Sequence, residues 1–511
     1  MITPPDFDAA PPVPGWLEPE IAVDLDAGDD PREKCGVIGI YTPELDSATY
    51  AYFGLFALQH RGQESAGMAV SDGRRVKTIK DMGLVSQVFT RDRLDALKGH
   101  LAIGHTRYST SGVSEVQNAQ PIFCQYEEGE IAVAHNGNLV NTKSLRQELI
   151  AEGEVFGAQH ASSDSELIAR IIARNIGQGI EFAVGEVMRR CHGAFSITVL
   201  TPKAIIGFRD PYGIRPLTAG TIGERGYMVA SETCAFGPVG GKPVRELAPG
   251  EMVIIDDSGM RFSQGAPTAK PSMCLFEFIY FARPDSRMYG QLLYQARYRM
   301  GQQLARQWPV EADIVVPVPD SGIPAALGYA REAGIEFREG MMKSRYIHRT
   351  FIQPSKAIRE LGVRMKLTPL EEHLAGQRVV LVDDSIVRGT TTDKIVSMLR
   401  DAGAREVHVR ITAPPIIKPC FYGINMATEA ELISANLSTE ALRQRLGCDT
   451  LGFLSIDRAV DSVGRPKADF CLACFNNDYP IPIPNEARED SPQDGVGEFS
   501  VTDPGQPTLI E

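Results

Sequence analysis

No run of apolar residues in this 511-residue chain approaches the roughly 18 that a membrane-crossing helix needs, so no membrane partner is expected. The first residues lack the basic start and the apolar stretch of about 7 to 15 residues that mark a secretory signal. They also lack the arginine-rich, acid-poor character of an organelle transit peptide. A soluble, cytoplasmic protein is expected, and its nine cysteines should stay reduced there. A disulfide framework is therefore disfavoured, and metal binding or catalysis become the questions the cysteines raise. An excess of positive charge is missing too: the formal net charge is −13, and no nucleic-acid partner is implied.

The acidity sits at the two ends. Residues 1–34 hold nine acids and two bases, residues 478–511 hold eight acids and one base, and the stretch between them carries a net charge of only +1. Both ends are rich in proline and poor in buriable apolar surface, so both are expected to be disordered. The remaining length exceeds what one hydrophobic core usually organises, and two folded domains are expected.

From Cys35 the chain reads as alternating strands and turns: CGVIGIY, YAYFGLFALQHRGQESAGMAV, LAIGHTRYST, IAVAHNGNLV, AFSITVL, AIIGFRD, GYMVASE and EMVIID. SDSELIARIIARNI is helical in period, with Leu167, Ile168, Ile171 and Ile172 on one face. The mixture suggests stacked sheets covered by helices to about residue 265. Polar residues collect at the strand ends: Arg107, Asn136 with Gly137, and Asp164. Each has a plain alternative, since Asp164 suits a helix N-cap and Asn-Gly a turn. Together with Cys35 they form a set able to hold a free amino acid. An arginine suits its carboxylate, an aspartate its ammonium, and an amide beside a glycine N–H a developing oxyanion. Two other readings of Cys35 stay open: an inert strand thiol, or a partner of His105 or His135.

CGVIGIY, LQHRGQESAG, GHTRYST, HNGNLVN and SSDSE resemble the glutaminase domain of class II glutamine amidotransferases, which are N-terminal-nucleophile hydrolases of αββα architecture. The resemblance implies that residues 1–34 are a propeptide whose removal frees the Cys35 α-amine. Such an amine has a pKa near ~8 and can act as base for its own thiol. It further implies Cys35 as nucleophile, Arg107, Thr110 and Asp164 as glutamine ligands, and Asn136 with Gly137 as the oxyanion hole.

A second signal lies at 378–404, RVVLVDDSIVRGTTTDKIVSMLRDAGA: a buried-strand run, two acids, a small-residue loop and an amphipathic helix. The loop and helix amides would converge on a phosphate. The string resembles the phosphoribosyl pyrophosphate (PRPP) motif of α/β type I phosphoribosyltransferases. That resemblance places Asp383 and Asp384 on ribose and Mg2+, and Ser385, Arg388, Gly389, Thr390 and Thr391 around the 5′-phosphate. It places Asp320, Ser321 and Gly322 in a pyrophosphate loop, with Ser321 also near the Mg2+. KSRYIHRTFIQPS supplies Lys343, Arg345, His348 and Arg349 to a lid over residues 343–354.

The two domains in this order, 35–265 and 266–477, resemble the amidophosphoribosyltransferase family, in its propeptide-containing, iron-sulfur branch. FCLACF gives Cys471 and Cys474, a pair that by itself permits redox, zinc or cluster roles. The resemblance adds Cys274 and Cys420, four thiolates for a [4Fe-4S] cluster, with zinc as the other option. Cys124, Cys191, Cys234 and Cys448 are left for the core. A homotetramer and inhibition by purine nucleotides are implied by the resemblance alone, and an internal ammonia channel is expected because ammonia is easily lost to water and protonation. Two different readings stand beside it: a class II amidotransferase with another acceptor, and a nucleotide-sensing regulator that kept the phosphoribosyltransferase fold.

Overall fold

Gly36–Tyr41 (GVIGIY) is buried at all six positions because it occupies the middle of a sheet covered on both faces. The computed structural model describes residues 35–489 apart from 44–45, 109–115, 128, 157–162, 345–366 and 425–427. In strand order the first sheet runs Gly241–Glu246, Thr218–Ile222, Gly226–Ala230, Gly36–Tyr41, Leu101–Arg107, Ser65–Ser71 and Val76–Met82. The second runs Gly259–Gln264, Glu251–Asp256, Ile205–Arg209, Gly193–Leu200, Gly129–Leu139 and Ile122–Tyr126. Side chains alternate between the faces of a strand. Val37 accordingly meets Ile103, Ala132, Ile205 and Val253 between the sheets, while Ile38 and Ile40 pack outward with Leu55 of the helix Ser47–Ala57. On the far side, Ile168 and Ile172 of Asp164–Asn175 and Val184 and Val187 of Ile180–Arg190 cover Ile131, Val133 and Ile197. The layers are helix, sheet, sheet, helix, the expected αββα sandwich.

The second unit is built on a parallel sheet in the order Glu336–Phe337, Ile314–Pro317, Arg378–Asp383, Glu406–Ile411, Thr450–Phe453. Val379, Val380, Leu381 and Val382 are all fully buried, as a strand covered on both faces requires. Helices Leu293–Gln307, Ile323–Ala333 and Thr390–Asp401 belong to the same core.

Two expectations are corrected. The stretch beginning YAYFGLFALQ, read as strand, forms the helix Ser47–Ala57, whose N-terminus is capped by the Asp46 carboxylate accepting from the Ala48 amide. A local cap and the burial of Ala48, Ala51 and Leu55 on one face outweigh the β preference of its aromatic residues. The end region expected to be disordered from 478 is ordered at its start. Tyr479 donates to the Pro419 carbonyl, Ile481 is buried, and Asn485–Glu489 is helical. The alternation in YPIPIP sends isoleucines inward, which overall acidity had concealed. Residues 1–34, Thr110, Arg345, His348, Arg349 and 490–511 lie outside the described residues, as does the lid beyond residue 344.

Candidate active sites

Cys35 stands directly before the central strand, which pairs antiparallel with Leu101–Arg107 through Gly36 opposite Thr106. The register puts Cys35 at the same sheet end as Arg107, the next residue along from Thr106. The thiol is buried and its Sγ lies 3.9 Å from the Tyr108 carbonyl oxygen. Arg107 is 7% exposed, and Glu64 Oε1 stands 3.5 Å from Nη1. That Nη1 makes no hydrogen bond among the described residues, a donor available to a carboxylate. Lys80, driven down to about 8 by burial and then by Arg107, adds positive potential beside it.

Asn136 and Gly137 do not form a turn. They lie within Gly129–Leu139 of the second sheet, opposite Ser196 and Phe195 of the neighbouring strand. Asn136 is 1% exposed, and its Nδ2 finds no acceptor among the described residues. A buried amide donor without a partner is costly in a resting fold and fits a site that awaits negative charge. Gly137 adopts φ 150°, and a Cβ there would lie 1.9 Å from the Ala194 carbonyl oxygen, so no other residue fits.

Asp164 is the first residue of its helix, after Ser163 at the cap. Its Oδ2 lies 3.4 Å from His135 Nδ1 and accepts from the Leu139 amide at 3.4 Å. Burial favours the neutral carboxyl, but His135 and the amides of Leu139 and Ser165 outweigh it and hold Asp164 below the ordinary aspartate range. It is therefore an anion able to hold an ammonium group. The histidines are otherwise engaged. His105 Nε2 bonds the His135 carbonyl at 3.0 Å, and burial drives His105 down to about 3, too weak a base for a thiol.

The phosphoribosyl elements meet at the carboxyl ends of adjacent parallel strands, where such sheets bind ligands. Asp383 ends Arg378–Asp383; it and Asp384 are 8% and 3% exposed. Asp383 Oδ1 accepts from the Asp384 amide at 2.8 Å, and Asp384 Oδ1 accepts from Ser385 Oγ at 2.7 Å. Gly389, at φ 79°, caps the helix that opens with Thr390 and Thr391. A helix N-terminus of this length suits a phosphate. From the neighbouring strand Ile314–Pro317, the loop Asp320–Gly322 is drawn alongside: Val318 N donates to the Val382 carbonyl at 2.9 Å. A Cβ on Gly322 would come within 2.7 Å of that same oxygen. Lys343 Nζ reaches Asp320 Oδ2 at 3.1 Å, joining the first residue of the expected lid to this loop. Arg388 pairs with Glu431 at 3.2 Å.

Cys274, Cys420, Cys471 and Cys474 line one pocket with Arg215, Tyr422 and Tyr479. Cys274 and Cys471 are partners in a short parallel ladder, Met273–Cys274 with Phe470–Cys471. Cys474 sits in the single turn Ala473–Asn476, whose continuation Asn477 turns left-handed at φ 64°. Burial pushes all four thiols up, Cys274 to about 12, and neighbouring thiols push Cys471 and Cys474 further. Cys124, Cys191, Cys234 and Cys448 are buried in the core, as expected.

A buried ion-pair chain escaped sequence reading. Glu232, Arg61, Glu277 and Arg215 follow one another through direct contacts, each side chain 1% exposed or less. Arg215 then donates twice to the Tyr422 carbonyl, from Nε at 3.0 Å and Nη2 at 2.7 Å. The chain links the sandwich to the cysteine-bearing segments. Its sequence signal was a lone charge inside an apolar run, as Glu277 is in CLFEFIYF. The grouping of His60, Glu232 and Cys234 has the spacing of a metal site. Its carboxylate is already taken by Arg61, His60, Ser286 and the Arg283 amide.

The sandwich and the parallel sheet, each with its own site, define a glutamine amidotransferase joined to a phosphoribosyltransferase. Comparison with known proteins agrees. A family model described as glutamine amidotransferase domain matches residues 105–237, and one described as phosphoribosyl transferase domain matches 290–414. The amidophosphoribosyltransferase of Synechococcus elongatus is 50% identical over 469 residues, 91% of this chain and 94% of that protein. The solved glutamine PRPP amidotransferase of B. subtilis, complexed with ADP and GMP, is 45% identical with a TM-score of 0.81, covering 88% of this chain and 98% of that one. A structure described as the allosteric regulatory enzyme of purine biosynthesis gives a TM-score of 0.83 at 45% identity, over 89% of this chain and 97% of its own. This chain belongs to the amidophosphoribosyltransferase family.

Proposed function

We propose that this chain hydrolyses glutamine at Cys35 and delivers the ammonia to PRPP, opening de novo purine synthesis. Glutamine, water and PRPP become glutamate, pyrophosphate and 5-phosphoribosylamine. The observation that carries the reading is the joint presence, in one described fold, of the Cys35–Arg107–Asn136–Asp164 set and the paired loops at Asp320–Gly322 and Asp383–Thr391.

Arg107 and Asp164 hold the α-carboxylate and α-ammonium of glutamine, with Thr110 assisting. The Cys35 sulfur then faces the side-chain carbonyl. The Cys35 α-amine, released when residues 1–34 are cut away, takes the thiol proton and passes it to the departing ammonia. Asn136 Nδ2 and the Gly137 amide receive the charge that develops on the carbonyl oxygen. Water returns the enzyme to its free thiol. At the second site, ammonia displaces pyrophosphate at ribose C1 while the loop Ser385–Thr391 holds the 5′-phosphate. Arg345 and Lys343 close over the leaving group, and the closed lid completes a channel that keeps ammonia from solvent.

The carboxylates of Asp383 and Asp384 and the hydroxyl of Ser321 are hard oxygen donors that suit Mg2+. When bound, the metal neutralises charge on the leaving pyrophosphate. Four cysteines around one pocket suit a cluster. Among the described residues, no three of their sulfurs gather within 4.8 Å of one another. A single tetrahedral zinc would draw its sulfurs to about 3.8 Å apart, given its short Zn–S bonds. The wider spread favours a [4Fe-4S] cluster, which would cross-link three chain segments.

The reading divides the chain at about residue 265 and carries with it cytoplasmic residence, a homotetramer and purine-nucleotide feedback. None of the described helices is long and apolar enough to cross a membrane. A glutamine-hydrolysis assay with and without PRPP tests the scheme: hydrolysis should rise with PRPP and match 5-phosphoribosylamine formed. Hydrolysis indifferent to PRPP, with no amine product, would overturn it.

A further inference from the structure

The segment Asn136–Asn138 is also gripped by residues outside its own sheet. Asn138 Nδ2 donates to the Phe421 carbonyl at 3.0 Å. The next carbonyl, Tyr422, takes both bonds from Arg215. The next residue, Gly423, presses its backbone on Gly137: a Cβ there would lie 2.8 Å from Gly137 C and 3.0 Å from both its Cα and O. Arg215 is itself tied back to the same place, because its carbonyl accepts from Ser196 Oγ at 3.0 Å and Ser196 is the cross-strand partner of Asn136. Its guanidinium is steadied by Glu277 at 3.4 Å. At the other end the loop begins at Cys420, whose sulfur accepts from the Tyr422 amide at 3.3 Å.

We propose that the loop Cys420–Gly423 is the outer wall of the glutaminase oxyanion hole, and that Arg215 is the positioning residue that sets it. Gly137 has no side chain to brace it and sits at φ 150°, so its amide direction depends on what packs against it. Gly423 supplies that packing, the Phe421 carbonyl holds Asn138 beside it, and the Arg215–Tyr422 bonds fix the height of the loop. The four-cysteine centre anchors the loop's first residue, a link that rests on the cluster reading above. The Arg215 and Gly423 contacts stand without it.

The test uses full-length matured enzyme carrying Gly423→Ala, Asn138→Ala, Arg215→Met or Arg215→Lys. Glutamine kcat and KM, ammonia-driven synthesis, iron per chain and the rate at which a chloroketone glutamine analogue alkylates Cys35 are measured. A misplaced donor costs roughly 10- to 100-fold in rate. Gly423→Ala and Arg215→Met should lower glutamine kcat and the alkylation rate by about that factor while KM shifts less than about 3-fold. Ammonia-driven synthesis should hold at the wild-type level, and Arg215→Lys, keeping one donor, should recover part of the loss. If Arg215→Met fails to fold, Gly423→Ala and Asn138→Ala decide. Glutamine kcat within about 2-fold of wild type in both, or a parallel fall in ammonia-driven synthesis, overturns the proposal. The same split in a preparation without iron sinks the cluster reading and leaves the positioning role standing.

Discussion

Asn136→Ala separates catalysis from stability in a way the geometry makes quantitative. The side chain is 1% exposed and its Nδ2 bonds nothing among the described residues, so truncation breaks no hydrogen bond at that atom. It removes a buried unsatisfied donor, worth about 1–3 kcal/mol of relief. It also leaves a small cavity, with a cost of about 1–2 kcal/mol at the low end of the large-to-small range. The two offset, and folding stability should change by less than about 1.5 kcal/mol. The backbone ladder to Ser196 is untouched. Catalysis should respond very differently. Losing one preorganised oxyanion donor costs about 2.7–4 kcal/mol of barrier, or roughly 10²- to 10³-fold in glutamine kcat. Glutamine hydrolysis, ammonia-driven synthesis and chemical denaturation on the same preparation read all three quantities. Glutamine kcat within about 3-fold of wild type would refute the oxyanion role. A stability loss above about 3 kcal/mol would show instead that the amide is a structural member of the fold.

Further outcomes follow from the same geometry. Cys35→Ala should abolish glutamine use and spare synthesis from high ammonia, measured side by side; loss of both would break the two-site scheme. Asp383→Asn with Asp384→Asn should stop synthesis from either nitrogen source, checked by pyrophosphate release. Arg61→Met leaves buried Glu232 and Glu277 short of a cation and should cost about 3–5 kcal/mol by denaturation. Glutamine kcat/KM should fall as pH drops below about 8, the range of an α-amine. His105, at about 3, cannot produce that limb. Asp164 is held below its ordinary value, so its share of stability is fully present above about pH 4 and is lost only as pH falls through the depressed value. The glutamine site should therefore keep its ammonium ligand across the whole working range. Purified protein should be brown with broad absorption near ~400 nm; colourless protein holding zinc would overturn the cluster.

Local pattern carried much of this. Alternation exposed Gly36–Tyr41, the 3.6-residue period exposed Asp164–Asn175, and VVLVDDSIVRGTT announced a strand, a loop and a helix in order. Ser47–Ala57 was misread because its aromatic residues favour strands, while the deciding terms, a cap and a buried face, act through tertiary contact. For Asn136 and Gly137 the plain alternative, a turn, is excluded, because the dipeptide lies within a strand. The links between Arg215, Glu277 and Tyr422 were illegible, since residues 62 to 207 positions apart meet only once both units have folded. Proline and acid content likewise hid the inward-facing Ile481.

The proton acceptor for the Cys35 thiol is the centre of the account, and intact mass of the working enzyme tests it most directly. The glutamine-active species should begin at Cys35, lighter by the first 34 residues, with activity tracking the fraction so processed. A preparation that retains those residues in full and still hydrolyses glutamine at the mature rate would contradict it.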